Sequence, residues 1–441
     1  MTQIIAAAVL GVAVRLAVAW AAPDMPPVAD MEHYHERAVY LREHGTFGPD
    51  ALRGPGYPIV LAVAYTVMGE SNWAGRVANA IIGGLLVLAT GLLARAVGGG
   101  ERAWLAAAIV AAYPGYLVSA LYQMSDIFYT LLAVACVLAA AARGPAAAAL
   151  AGAATGVALL TRSAGLVLIS AVGLAWALDG WRGHVSRRDS LARVLLFGVA
   201  CAVVVAPWLT YTARIAGGPI LDATSGFNAV IGNNPRANGR HELAKGQWLI
   251  DTYLKNAVSI ADQQRQGVEA AARWARENPG PWLRLGVAKL AYLWGLEGRE
   301  HVALYSYNYF HERSRATITG WAVAVLLSFP VLVAVATIGV ITAAGGWTSS
   351  RAAVGALILA ASLLHVLSFG ESRFHLPFVP LLAAAATLGW RAPLRLPPTR
   401  TAAMTIVFGM LLWAWAGQLP ALWHRVDAIR QPGGSQTFLE Y

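Results

Sequence analysis

The chain has few charged residues and very little cysteine. Only 13% of its 441 residues are charged, 57% are hydrophobic, and Cys136 and Cys201 are the two cysteines. This composition does not fit a soluble globular domain. Both cysteines fall inside apolar runs, where they serve as small hydrophobic side chains, so a disulfide framework is not expected.

Long apolar runs dominate what remains. Because each membrane crossing needs about 20 mostly apolar residues, the sequence predicts an all-α polytopic membrane protein with about 11 transmembrane helices. The predicted spans are 3–22, 71–97, 103–121, 127–142, 145–161, 163–180, 191–213, 317–345, 352–369, 374–390 and 401–420. The first run resembles a signal peptide but lacks a basic start and carries Arg15, so we interpret it as a retained anchor helix.

The basic residues predict the orientation. One alternate set of short loops holds Arg95, Arg102, Arg143, Arg182, Arg187, Arg188, Arg193, Arg351, Arg391, Arg395 and Arg400. The opposite short loops hold only Arg162 and Arg373. The positive-inside rule therefore predicts a cytoplasmic N-terminus in a plasma (inner) membrane. The net charge of +10 is explained by this bias and by anionic lipid, so nucleic acid is not an expected partner.

Two segments on the predicted outer side are large. Residues 23–70 contain an amphipathic stretch, Asp30 to Glu43, and a short apolar stretch, Ile59 to Met68, that we interpret as a second surface or re-entrant helix. Residues 214–316 form one long polar loop. The sequence thus predicts a seven-span module at 1–213, an outer loop at 214–316 and a four-span module at 317–441.

The few charges at membrane depth fall at the same ends of the predicted spans. Asp30 and Glu32 follow the first span, and Asp126, Arg162 and Arg373 lie in short outer loops. Each has an ordinary explanation as a helix cap or a snorkelling arginine, and for Asp30 alone the two interpretations are about equally good. Their convergence on one face favours a single active site, because caps would be spread over both sides.

Arginines and acids at a membrane surface suggest a definite chemistry. Arginine binds phosphate oxygens through parallel hydrogen bonds, which points to a lipid-linked phosphate. A neighbouring carboxylate can take the proton of an acceptor. Asp30 is the leading candidate for this base, with Tyr34 on the same helix face.

The ordered motifs resemble the GT-C superfamily of membrane glycosyltransferases, in particular the family 39/83-like group of protein O-mannosyltransferases and aminoarabinose transferases. The pieces that carry the resemblance are Asp30-x-x-x-Tyr34, Arg53-Gly54-Pro55-Gly56-Tyr57-Pro58, Ser125-Asp126, Leu160-Thr161-Arg162, Pro207-Trp208, Gly232-Asn233-Asn234-Pro235 and Glu371-Ser372-Arg373-Phe374-x-x-Pro377. The resemblance implies a GT-C fold and an inverting transfer from a polyprenyl-phosphate sugar on the extracytoplasmic face.

The resemblance also implies roles for individual residues. Asp30, Asp126 and Glu32 are the catalytic candidates, although Met31 separates two acids that many relatives carry side by side. The candidates for binding the donor phosphate are Arg53, Arg162, Arg373 and Lys289, and those for binding substrate are Tyr34, Tyr57, Asn233, Asn234, Glu371 and His375. The expected partners are the bilayer, the lipid-linked sugar, and a lipid, protein or glycan acceptor.

Three alternatives stay open at this stage. A divalent metal is one, but the spacing of His33, His35, His301, His311 and His375 forms no recognised metal motif. A transporter or flippase of lipid-linked saccharides is another, although paired broken helices are not evident. A glycan polymerase or ligase is the third.

Overall fold

The computed structural model describes residues 1–24, 26–49, 51–142, 144–241, 246–298, 302, 313–343, 346–389 and 398–434. Within these ranges the chain is helical and contains no strand, which confirms the predicted all-α class. Of the residues discussed above, Arg143, Arg391, Arg395, His301 and His311 lie outside the described ranges, and the side chain of Arg400 is not described.

The helices are numbered in chain order. They are α1 Thr2–Ala21, α2 Asp30–His44, α3 Gly56–Met68, α4 Asn72–Val97, α5 Ala103–Ala112, α6 Pro114–Ser119, α7 Asp126–Ala141, α8 Pro145–Thr161, α9 Val167–Trp181, α10 Arg187–Ile215, α11 Ser225–Gly232, α12 Gly246–Leu249, α13 Ile260–Glu277, α14 Pro279–Leu293, α15 Arg315–Thr342, α16 Ser349–Leu367, α17 Val379–Ala386 and α18 Pro398–Arg430.

Seven helices in the described ranges are long and apolar enough to cross a membrane. They are Thr2–Ala21, Asn72–Val97, Ser163–Trp181, Arg187–Ile215, Arg315–Thr342, Ser349–Leu367 and Thr405–Arg430. Asp126–Ala141 and Pro145–Thr161 are apolar but shorter. The predicted polytopic architecture is therefore confirmed, whereas the count of about 11 spans stays a prediction. The division into three domains also stays a prediction.

One predicted span is interrupted. The run 103–121 forms two helices, α5 and α6, that meet at Tyr113 and Pro114. Proline has no N–H to donate and disfavours helical geometry in the residue before it, and Tyr113 accordingly has an extended backbone. Helix α5 therefore ends at Ala112, and a separate helix, α6, begins at Pro114.

Residues 23–70 form the two helices predicted there, and their position at a membrane surface stays a prediction. Helix α2 buries Met31, Tyr34 and Ala38. It packs on α3, which supplies the buried Tyr57 and Leu61. Together, α2 and α3 form a small apolar layer beside the first residues of α7, and this layer positions the candidate site.

Candidate functional site

Two aspartates and three arginines meet where five chain segments converge. Asp30 begins α2 and Asp126 begins α7. Arg53 lies between α2 and α3, and Arg162 directly follows α8. Arg373 lies in a short 3₁₀ helix, Ser372–Phe378. We call these five side chains the aspartate–arginine cluster.

The ion pairs of the cluster are short. Arg53 Nη2 lies 2.6 Å from Asp30 Oδ1, and Arg162 Nη1 lies 2.7 Å from Asp126 Oδ1. Arg373 donates to both oxygens of Asp126 through Nε and Nη2, the latter at 2.7 Å. Arg373 Nη1 also lies 3.6 Å from Asp30 Oδ2, so this arginine bridges the two carboxylates.

Neither aspartate caps its helix. The residue before α2 is Ala29 and the residue before α7 is Ser125, and neither helix start receives a side-chain capping bond. The ordinary explanation that both acids are N-caps is therefore wrong. Their carboxylates are directed at arginines instead.

Two glycines of the Arg53-Gly54-Pro55-Gly56 motif allow Arg53 to reach the cluster. A Cβ on Gly54 would overlap the carbonyl oxygen of Leu160, and one on Gly56 would overlap the Thr161 hydroxyl oxygen. The loop thus packs directly on the chain that precedes Arg162, a close approach that only glycine permits. Arg53 Nε is buried and, among the described residues, has no hydrogen-bond partner.

Electrostatics favours an ionised cluster. Burial raises the pKa of the Asp30 carboxyl, but the charges of Arg53 and Arg373 and the hydrogen bond from Arg53 outweigh burial and lower it to about 2. Burial lowers the pKa of Arg53 and of Arg373, yet the neighbouring carboxylates raise both above the ordinary arginine value. Three guanidiniums against two carboxylates leave one excess positive charge, which suits an anionic ligand.

An apolar groove adjoins the cluster. Its walls include Tyr129 and Ala133 of α7, Leu357 and Ala361 of α16, and Phe374, while Asp126, Arg162 and Arg373 line its polar end. The cavity that remains there is about 30 Å³. That is room for about one or two waters, so a larger ligand has to open the groove or displace ion pairs.

Tyr34 and Tyr57 lie beneath the cluster. Tyr34 is buried, and its hydroxyl is 3.0 Å from Ser125 Oγ, which ties α2 to the start of α7. Tyr57 is fully buried, packs edge-on against Tyr34, and donates to Asn79 Oδ1 at 2.9 Å. Both tyrosines therefore hold the site together in this structure.

Four other candidates, which lie outside the cluster, are engaged in hydrogen bonds with protein groups. Lys289 is fully buried and donates to Asn233 Oδ1 and to the Val366 carbonyl, each at 2.8 Å. Burial lowers the pKa of Lys289 to about 8. The amides of Asn233 and Asn234 donate to backbone carbonyls. His375 is fully buried against Glu297 and the Leu293 carbonyl.

The two remaining candidates are acids outside the cluster. Glu32 is exposed on α2, two residues beyond Asp30 and hence on a different helix face. Glu371 is half-buried and lines a separate cavity of about 130 Å³ with Arg240, Tyr292 and Arg425. The structure thus brings together Asp30, Asp126 and the three arginines, but not these two glutamates.

A divalent metal would have to compete with the arginines for the two aspartates. Both aspartates are engaged by guanidinium groups, and a further cation would be repelled by three arginines. Among the described residues, no group of three His, Cys, Asp or Glu side chains is arranged to hold a metal ion.

The buried carboxylate of Glu297 was not predicted from the sequence. Glu297 is fully buried and accepts a hydrogen bond from the Tyr113 hydroxyl at 2.6 Å. Its signal in the sequence was an acid directly after the apolar run Leu293 to Leu296, and a Tyr-Pro break inside a predicted span.

Comparisons with known proteins bear on the fold. A sequence model of the family described as dolichyl-phosphate-mannose-protein mannosyltransferase matches residues 32–216. Among solved structures, the Archaeoglobus fulgidus oligosaccharyltransferase AglB, in complex with an inhibitory peptide and a dolichol-phosphate, superposes with a TM-score of 0.53 at 15% identity. ArnT from Cupriavidus metallidurans, bound to undecaprenyl phosphate, superposes with a TM-score of 0.50 at 16% identity.

The chain has the GT-C fold. The resemblance to GT-C membrane glycosyltransferases that the motifs indicated is confirmed at the level of the fold. The superposition covers 99% of this chain but only 56% of AglB, and 97% of this chain and 69% of ArnT. A further AglB structure, in complex with Zn and sulfate, gives a TM-score of 0.55 at 16% identity, covering 99% of this chain and 53% of AglB. No curated protein sequence matches the chain.

Proposed function

We propose that this protein is an inverting glycosyltransferase that moves a sugar from a polyprenyl-phosphate donor to an acceptor on the extracytoplasmic face of the plasma (inner) membrane. The observation that carries the proposal is the aspartate–arginine cluster at the polar end of an apolar groove. The GT-C fold and the lipid phosphates named with the superposed structures support it.

The groove and the cluster suit the two parts of such a donor. The walls from α7 and α16 are apolar and suit a prenyl chain. The arginines suit the phosphate, and Arg53 Nε is a donor without a partner among the described residues. The excess positive charge of the cluster matches the single negative charge of a sugar phosphodiester.

Donor binding has to rearrange the cluster. In the present arrangement the arginines are engaged by carboxylates and the cavity holds little more than one water. A phosphate that recruits Arg53 or Arg373 weakens their hold on Asp30. The pKa of Asp30, which these arginines lower to about 2, then rises, and Asp30 becomes a stronger base once the donor is bound.

The transfer itself needs one base. Asp30 takes the proton from the acceptor hydroxyl or amine, and the acceptor atom forms a bond to the anomeric carbon. The bond from that carbon to the phosphate oxygen breaks on the opposite side, and its electron pair stays with the phosphate. The lipid phosphate thereby gains negative charge, which the arginines stabilise in the transition state. Asp126 orients Arg162 and Arg373 for this role.

The test is donor consumption. Purified protein in liposomes is incubated with radiolabelled undecaprenyl-phosphate sugars and a membrane extract, and the label is fractionated into lipid, protein and glycan. Transfer with release of undecaprenyl phosphate supports the proposal. Movement of intact donor across the bilayer without cleavage would contradict it, because that is the behaviour of a flippase.

A further inference from the structure

Glu297 is a buried carboxylate outside the aspartate–arginine cluster. It accepts a hydrogen bond from the Tyr113 hydroxyl at 2.6 Å. The Ser328 hydroxyl lies 3.2 Å from it and shares its one hydrogen with the Val325 carbonyl at 2.8 Å. Glu297 Oε1 also lies 3.0 Å from His375 Nε2. The three partners come from the α5–α6 break, from α15 and from the Ser372–Phe378 segment, so one side chain joins three parts of the chain.

The contact between Glu297 and His375 holds one shared proton. His375 Nδ1 donates to the Leu293 carbonyl at 2.7 Å, because a carbonyl only accepts. A proton therefore has to lie between Nε2 and Glu297, on either atom. Both side chains are fully buried. A buried polar pair in a membrane protein is costly unless each of its polar groups has a hydrogen-bond partner.

The hydrogen bonds around Glu297 are linked to the aspartate–arginine cluster through the backbone between His375 and Arg373. His375 lies two positions after Arg373 in the Ser372–Phe378 segment. The same segment accepts a hydrogen bond from the Tyr116 hydroxyl at the Leu376 carbonyl, at 2.6 Å. The His375 ring also stacks on Phe329 at a centroid distance of 3.5 Å. The buried side of the segment is thus fixed while Arg373 extends from it to Asp126 and Asp30.

The helix break that supplies the two tyrosines is itself stabilised by a buried arginine. Arg15 of α1 donates to the carbonyls of Val110 and Ala111 at 3.0 and 3.3 Å. These carbonyls lie in the last turn of α5, where a cation is favourable for the helix dipole. Arg15 therefore holds the break that directs Tyr113 at Glu297.

We propose that Glu297 is a positioning residue that fixes the Ser372–Phe378 segment and thereby aims the Arg373 guanidinium at the cluster. Its role is to satisfy His375 and Tyr113 by hydrogen bonding, not to supply a charge. The consequence for donor binding rests on the proposed function, whereas the consequence for the segment does not.

Two substitutions separate hydrogen bonding from charge. A glutamine amide at position 297 can donate to His375 Nε2, the contact that holds the Ser372–Phe378 segment, and its carbonyl can accept from a neighbouring hydroxyl. Alanine can make none of these bonds. Thr90→Val is the matched control, since Thr90 is fully buried and its hydroxyl donates to the Leu86 carbonyl of its own helix.

The experiment measures two quantities on the full-length protein in detergent or nanodiscs. Amide hydrogen exchange reports protection of residues 371–378, and titration with undecaprenyl phosphate reports ligand affinity. We expect Glu297→Ala to raise exchange in the segment and the dissociation constant for undecaprenyl phosphate by about tenfold each, as the loss of buried partners implies. Glu297→Gln and Thr90→Val should stay within about threefold of wild type.

The outcomes are distinct. Unchanged segment exchange in a folded Glu297→Ala protein overturns the inference, and so does a Glu297→Gln protein that behaves like the alanine variant. If wild type fails to bind undecaprenyl phosphate, the proposed function loses support, but hydrogen exchange still decides the role of Glu297. If Glu297→Ala does not fold, Tyr113→Phe, which removes one hydrogen bond, replaces it and should raise exchange by a smaller factor.

Discussion

Arg373 binds Asp126 through two parallel hydrogen bonds, Nε to Oδ1 and Nη2 to Oδ2, although 247 residues separate them in the chain. Its third nitrogen lies 3.6 Å from Asp30 Oδ2. One guanidinium therefore joins the beginning of α2, the beginning of α7 and the segment before α17. The planar fork of arginine makes this possible, because a lysine ammonium is a point charge.

Arg373→Lys should consequently weaken donor binding despite keeping the charge. The lysine loses the paired geometry with Asp126 and the reach to Asp30, so we expect the KM for the donor to rise about tenfold. Arg95→Lys, in the last turn of α4, serves as the control for the chemical change. Equal donor KM values for wild type and Arg373→Lys would contradict the role of Arg373.

Tyr34→Phe tests whether Tyr34 holds the site or contacts substrate. The substitution removes the 3.0 Å contact with Ser125 but keeps the ring against Tyr57. We expect a loss of roughly 1 kcal/mol in the free energy of unfolding, the usual value of a buried hydrogen bond. Denaturant unfolding measures it. A raised KM for the acceptor at unchanged stability would instead favour direct substrate contact.

The ion pair of Asp30 predicts a definite pH dependence. Its pKa is lowered from 3.8 to about 2, so the stabilisation is present above pH 3.8 and is lost as pH falls towards 2. The difference in thermal midpoint between wild type and Asp30→Asn should stay constant from pH 8 to about pH 4 and shrink below that. A difference that already vanishes between pH 7 and pH 5 would show that Arg53 does not hold Asp30 in this way.

Gly54→Ala should displace Arg53. The new Cβ would overlap the Leu160 carbonyl oxygen, so the loop has to move away from Arg162. We expect lower thermal stability and a donor affinity reduced by about tenfold or more. Gly173→Ala in α9 is the matched control, since nothing lies within 4 Å of its Cβ and alanine favours helices. Normal donor affinity in Gly54→Ala would contradict the packing argument.

Much of the site could be predicted because its charges are rare. In a chain with so few charged residues, Asp30, Asp126, Arg162 and Arg373 stood out against apolar neighbours, and the structure brings them together. The direct partner of Asp30 could not be predicted. Arg53 reaches it only because Gly54 and Gly56 let the loop pack on α8, which is a tertiary contact.

The outer-loop candidates show the opposite case. Lys289 and Asn233 carry groups that suit phosphate or sugar, but they hydrogen-bond each other at 2.8 Å in the interior. His375 likewise forms a hydrogen bond with the buried Glu297. A polar residue type indicates what a side chain can bind, whereas the partner depends on contacts between segments far apart in sequence. Their roles in substrate binding stay predictions.

The most direct test is a single-turnover comparison of Asp30→Asn with Glu32→Gln. Both variants neutralise an acid at the start of α2, but only Asp30 lies in the aspartate–arginine cluster. With undecaprenyl-phosphate sugar prebound, we expect Asp30→Asn to lower the transfer rate by about 10²–10⁴-fold while it still binds donor. Glu32→Gln should transfer at nearly the wild-type rate. Wild-type transfer by Asp30→Asn, or an equal loss in both variants, would contradict the assignment of Asp30 as the base.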